Sequence, residues 1–146
     1  MEKINFKNLP DTSTPINAEN LNEMQNNMED AVNGYVLYDN ADGSNENITL
    51  SDSVANYTYI EIYYSTTGNI RGGYTKIYQP NNINCDLSII EQSGAQTDIT
   101  RTRYYINNNI ISLNVEYAGY VHVSGTSISS TLGTNYLKIT RVVGYK

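Results

Sequence analysis

The sequence predicts a mainly β protein: a short N-terminal heptad helix followed by an antiparallel β-sandwich, jelly-roll-like in outline. Three observations predict it. Apolar residues spaced three, four and three apart occur once, between Leu21 and Ala31, after which the helical period disappears. From Tyr35 onward, short runs of Val, Ile, Thr and Tyr alternate with turns such as Pro80-Asn81-Asn82 and Asn107-Asn108-Asn109. The composition, with 14 Tyr, no Trp, and abundant Asn, Ser and Thr, suits short strands joined by tight turns.

With 146 residues and 39% hydrophobic content, the chain has material for one modest core plus an appendage. It divides into a leader (1–15), a helix (16–34) and a β-domain (35–146). No apolar run of about 18 residues is present, and the start lacks the basic and apolar regions of a signal peptide, so a soluble, unprocessed chain is expected. The net charge of −6, with scattered basic residues, gives no footprint for nucleic acid or an anionic membrane. A single cysteine, Cys85, forbids an internal disulfide and reads as a small, half-buried residue.

In the leader, Ile4 and Phe6 alternate with Asn5 and Lys7, the period of a strand with one apolar face. So short a strand is unstable alone and must lie against another surface. Leu9-Pro10 breaks the extension. The polar cluster from Asp11 to Thr14, followed by Pro15, prepares a helix start, with Asn17 as the expected N-cap.

Leu21, Met24, Met28 and Ala31 then fall on one helical stripe, with Tyr35 as the next seam position, and polar residues fill the opposite face. Asn33-Gly34 ends the helix, because glycine accepts the left-handed conformation just past a helix C-terminus. A helix of about four turns is marginal in isolation, so the stripe must be buried. It packs either on its own β-domain or in a parallel bundle of identical helices; heptad regularity and the polar outer face favour the bundle.

The run from Ile4 to Asn22, "INFKNLPDTSTPINAENLN", resembles the N-terminal segment of tail-fibre, baseplate and head-fibre proteins of bacteriophages infecting Gram-positive bacteria. There an apolar-aromatic leader, a "PDTxTPINAENLN" core and a helix precede a distal β-domain. "ITLSDSVANYTYIEIYY" and "ITRVVGYK" resemble such distal domains more loosely. The resemblance implies a homotrimer fixed to the virion through Ile4, Phe6, Leu9 and Pro10, made in the host cytoplasm and exposing its C-terminus on a tail or capsid surface. Virion structural proteins are then its partners.

In the β-domain, strands are expected at 35–39, 47–50, 57–65, 74–79, 85–92, 97–106, 110–117, 120–124 and 136–143. Along the third, Tyr57, Tyr59, Glu61 and Tyr63 share one side, and Thr58, Ile60, Ile62 and Tyr64 the other, so the Ile side belongs to the core. The row Tyr57, Tyr59 and Tyr63 is either core or subunit seam, or a glycan-binding face, because phenol rings stack on sugar C–H faces.

Catalysis finds little support. His122 alternates with Val121 and Val123 and reads as a surface histidine; no G-x-S-x-G elbow occurs. Glu61, Asp86, Glu91, Asp98 and Glu116 lie on different strands, with no spacing that pairs an acid with a nucleophile. In the acidic loop 39–46, an EF-hand alignment puts Tyr38 and Thr49 at the terminal ligand positions, so that motif fails. Sequons at Asn47 and Asn56 lack a secretory context. No cofactor or metal is expected.

The sequence thus points to a virion fibre protein that docks by its N-terminus and presents a β-domain, through several weak sites acting together, to a host cell-wall saccharide or other surface component. The alternative within the same family is an architectural head fibre or capsid decoration protein. A cell-wall glycosidase and a monomeric carbohydrate-binding module are the readings outside it.

Overall fold

The computed structural model describes residues 18–67 and 71–146. The leader, with Ile4, Phe6, Leu9 and Pro10, and the expected N-cap Asn17 lie outside the described residues. Helix α1 spans Ala18–Asn33. Nine strands follow: β1 Tyr35–Ser44, β2 Ile48–Thr49, β3 Tyr59–Thr66, β4 Gly72–Tyr78, β5 Ile83–Ser93, β6 Gln96–Asn107, β7 Ile110–Ser124, β8 Ser127–Leu132 and β9 Leu137–Tyr145, with a 3-10 turn at Val54–Asn56.

All strand pairings are antiparallel and form two sheets. One has the order β1-β9-β3-β4; the other runs β2-β7-β6-β5, with β8 on β7 as well. β2 pairs with the start of β7 and β8 with its end. The two sheets share one core. Ile60, Ile62 and Tyr64 of β3 and Leu137, Ile139 and Val142 of β9 meet Cys85, Leu87 and Ile89 of β5 and Tyr104 and Ile106 of β6. The period-2 alternation that marks Ile60 and Ile62 in the sequence is what buries them, both at 0% exposure.

Cys85 is more deeply buried than its half-buried expectation, at 6% exposure, and burial pushes its thiol up to about 12. It is an inert core residue.

Gly34, at φ +68°, carries the chain from α1 into β1. A Cβ there would come within 2.5 Å of Val143 Cγ1 and 2.8 Å of Tyr145 Cε1, so the turn needs glycine for both conformation and space. Tyr35 opens β1 opposite Gly144, and Tyr59 opens β3 opposite Tyr145. The helix therefore joins the sandwich at the Tyr59 end of β3. Thr66, paired with Leu137, marks the other end, about 23 Å away along the strand.

Four local expectations are corrected. The runs at 110–117 and 120–124 are one strand, β7, with a bulge: β6 residues Arg101 and Arg103 face Gly119 and Asn114, so Val115 to Ala118 stand opposite Thr102 alone. β8 falls outside the expected strands, its sequence SISSTL being mostly Ser and Thr, and it is exposed throughout. The acidic segment 39–46 is mostly strand, since β1 runs to Ser44 with its ladder to β9 interrupted between Asp39 and Ser44. Tyr57 precedes β3, behind the 3-10 turn, and is buried at 7% exposure.

Candidate functional site

The helical stripe is the first feature the sequence singles out. Met24, Met28 and Val32 are 56%, 63% and 71% exposed, Ala31 is exposed and Leu21 half-buried. The stripe is not covered by its own sandwich. Tyr35 lies off the helix, its ring 5.7 Å from that of Tyr57 with Lys146 Nζ 4.5 Å above it, so it packs at the sandwich's edge.

The second feature is a tyrosine terrace on the outer face of β4, β3 and β9. Tyr59 stacks on Tyr145 at 4.5 Å and 13°, and Lys76 Nζ sits 3.6 Å over the Tyr59 ring. Tyr63 stacks on Tyr74 at 5.8 Å. Glu61 Oε2 accepts from the Tyr63 hydroxyl at 2.8 Å and the Tyr145 hydroxyl at 3.3 Å; the first bond holds the Tyr63 phenol above its ordinary range. Tyr57 is absent from this row. Its ring lies against Gly144 and its hydroxyl donates to Asp52 Oδ2 at 3.0 Å; burial and then that bond push it up to about 12. With Tyr59 engaged by Tyr145 and Lys76, the exposed rings of the terrace are Tyr74 and Tyr78, at 64% and 62%.

The third feature was not singled out by the sequence. Along β6 the inward-facing residues run Ile106, Tyr104, Thr102, Thr100 and Asp98, from apolar to polar, as the strand leaves the helix end. Cross-strand partners continue this change. Ile89, Thr100, Tyr120 and Thr131 form one inward row over β5 to β8, and Glu91, Asp98, His122 and Ser129 form the next. Before the bulge the inward residues of β7 are Ile111 and Leu113; after it they are Tyr120 and His122, so the bulge exchanges odd for even positions. The expectation of a surface-facing His122 is thereby corrected: it faces inward, half-exposed, beside Asp98.

At this end of the sandwich β3 finishes at Thr66 and β9 begins at Leu137. Thr100, Tyr120 and Thr131 of the first row and Glu91 and Asp98 of the second line a cleft of about 380 Å³, with Thr66, Thr67 and Tyr136 on its other side. Beside it, a partly buried network centred on Asn135 holds β6 to the start of β9. Asn135 Oδ1 accepts from Thr102 Oγ1 at 2.7 Å and from the Leu137 N–H at 3.0 Å, and its Nδ2 donates to the Tyr104 hydroxyl at 3.0 Å and to the Asn45 carbonyl at 2.9 Å.

Within the cleft, Asp98 Oδ1 accepts from the Tyr120 hydroxyl at 2.8 Å and lies 2.5 Å from His122 Nδ1. The His122 bond, then that from Tyr120, lowers the Asp98 carboxyl below its ordinary range, and the bond to Asp98 raises the Tyr120 phenol. The Tyr120 and Tyr136 rings meet at 5.8 Å and 55°. Among the described residues no Lys or Arg lines the cleft. Among the described residues no three His, Cys, Asp or Glu side chains gather as a metal site, and no helix is long and apolar enough to cross a membrane.

Comparison with protein-family models, with curated proteins and with solved structures finds no match.

Proposed function

We propose that the chain is a bacteriophage virion fibre protein, a tail fibre or receptor-binding appendage. In this reading it assembles as a homotrimer through α1, docks on virion proteins by its leader, and presents the sandwich to the host surface. The observation that carries the proposal is the exposed stripe of Met24, Met28 and Val32 on a helix attached to a sandwich whose own core is complete. An isolated four-turn helix with such a stripe gains stability from association with copies of itself.

The placement of the elements supports the same reading: the helix joins one end of the sandwich and the cleft opens at the other. An assembly device at one pole leaves the opposite pole free to meet a surface, and several copies multiply a weak contact. The test is incorporation. Deleting residues 1–15 should leave the sandwich folded and abolish incorporation into particles, and labelled full-length chain should be found on the virion by electron microscopy. Normal incorporation of the truncated chain would overturn the docking role.

A further inference from the structure

We infer that the cleft bounded by Asp98, Tyr120, Thr131 and Tyr136 binds a neutral saccharide unit, a hexose or N-acetylhexosamine. The inference rests on the reading of the sandwich as the surface-binding part of the molecule, and it names the site and the ligand class.

The first argument is one of burial. Elsewhere among the described residues the polar side chains of the core are hydrogen-bonded within the protein, Thr102 and Tyr104 through Asn135, Tyr64 to Thr75 and the Ser88 carbonyl, and Tyr57 to Asp52, as burial requires. At the cleft the inward face turns to threonine hydroxyls, a tyrosine and two carboxylates around open space. Its volume, about 380 Å³, falls within the range of small-molecule sites.

The second argument is chemical. Glu91 and Asp98, with no Lys or Arg among the described lining residues, disfavour phosphate, sulfate and carboxylate ligands. What remains suits a ligand rich in hydroxyl groups with one apolar face. The tilt between Tyr136 and Tyr120 makes an aromatic corner, one ring offering its face to sugar C–H groups while the other closes the side. The threonine hydroxyls can donate or accept. Both the Tyr120 and His122 bonds fall on Oδ1 of Asp98, which fixes the carboxylate and leaves Oδ2 to accept from a ligand hydroxyl. A carboxylate held in place before binding loses less freedom on engagement. The terrace on the outer face is a weaker candidate, because its rings already stack on one another.

The experiment is saturation-transfer NMR on the full-length chain with glucose, galactose and N-acetylglucosamine, each as monosaccharide and short oligomer. Transfer to the ring protons of at least one sugar is expected. Tyr136→Ala and Asp98→Asn should each weaken it by about tenfold or more, while Tyr74→Ala on the terrace should leave it unchanged. Near-UV circular dichroism checks that each variant is folded; if Tyr136→Ala is not, Asp98→Asn decides. No transfer from any of the three sugars, or transfer lost in Tyr74→Ala and kept in Asp98→Asn, would overturn the inference. Light scattering on the same samples keeps the two readings apart: an oligomer without sugar binding refutes the cleft, and a monomer that binds sugar refutes the assembly.

Discussion

His122 and Asp98 are direct partners across β7 and β6, with Nδ1 of one 2.5 Å from Oδ1 of the other, and the Tyr120 hydroxyl reaches the same oxygen. A neutral phenol that donates to a carboxylate is harder to ionise. Asp98→Asn should therefore lower the titration of Tyr120 toward the ordinary tyrosine range, because the raised value comes first from that bond. Ring-carbon NMR of Tyr120 against pH measures it. An unmoved titration would contradict the inward placement of these three side chains.

Gly34 and Gly94 make a controlled pair, both left-handed at φ +68° and +60°. At Gly94 an added Cβ meets nothing within 4 Å, whereas at Gly34 it meets Val143 and Tyr145 closer than 3 Å. Gly94→Ala should cost about 1 kcal/mol from conformation alone, and Gly34→Ala about 2–4 kcal/mol, the strain plus repacking of the β9 end. Urea unfolding of the two variants gives the difference; equal costs would contradict the close approach.

Asn135 joins four groups beside the cleft. Asn135→Ala leaves Thr102 Oγ1 and two backbone groups to find new partners and removes the donor to the Tyr104 hydroxyl, which keeps its own bond to the Leu137 carbonyl, and should destabilise the sandwich by about 2–3 kcal/mol. Thr102→Val removes one bond and leaves Asn135 Oδ1 still accepting from Leu137 N–H, so its cost should be about 1 kcal/mol. Chemical denaturation ranks them, and a larger loss for Thr102→Val would contradict the network.

On the outer face of β5 and β6, Asp86 accepts from Arg103 at 2.8 and 2.9 Å and from Arg101 at 2.6 Å. These bonds, Arg103 first, hold its carboxyl at about 2, below the ordinary 3.8. A lowered folded-state value means that the contribution is present above pH 3.8 and is lost as pH falls through about 2. With the Asp86 side chain 37% exposed, solvent screening limits the contribution to about 1 kcal/mol or less. The difference in melting temperature between the unaltered chain and Asp86→Asn should shrink between those two pH values; a constant difference would contradict the ion pair's role.

What the sequence made legible follows from how local each signal is. The 3-4-3 spacing and Asn33-Gly34 locate α1, and the alternation in "YTYIEIYY" locates β3 and its buried face, because both patterns sit within one element. The cleft could not be read that way. Its residues come from β5, β6, β7 and β8 and from the ends of β3 and β9, so only the pairing register brings them together. The bulge hid it further: Val121 and Val123 look like the core side of a strand, and Ala118-Gly119 looks like a turn. The apolar residues Ile111, Leu113, Val121 and Val123 all fall at odd positions, so the sequence carries no sign of the change of face that the pairing register shows.

The central claim is that α1 assembles copies of a sandwich that folds by itself. Light scattering on the full chain and on a Met24→Asp, Met28→Asp variant tests it most directly, since charges placed on a packed seam repel one another. The account predicts three times the 16.4 kDa chain mass for the unaltered protein, and a monomer with undiminished β-type circular dichroism for the variant. A monomeric unaltered chain, or a variant that keeps the oligomer, would contradict it.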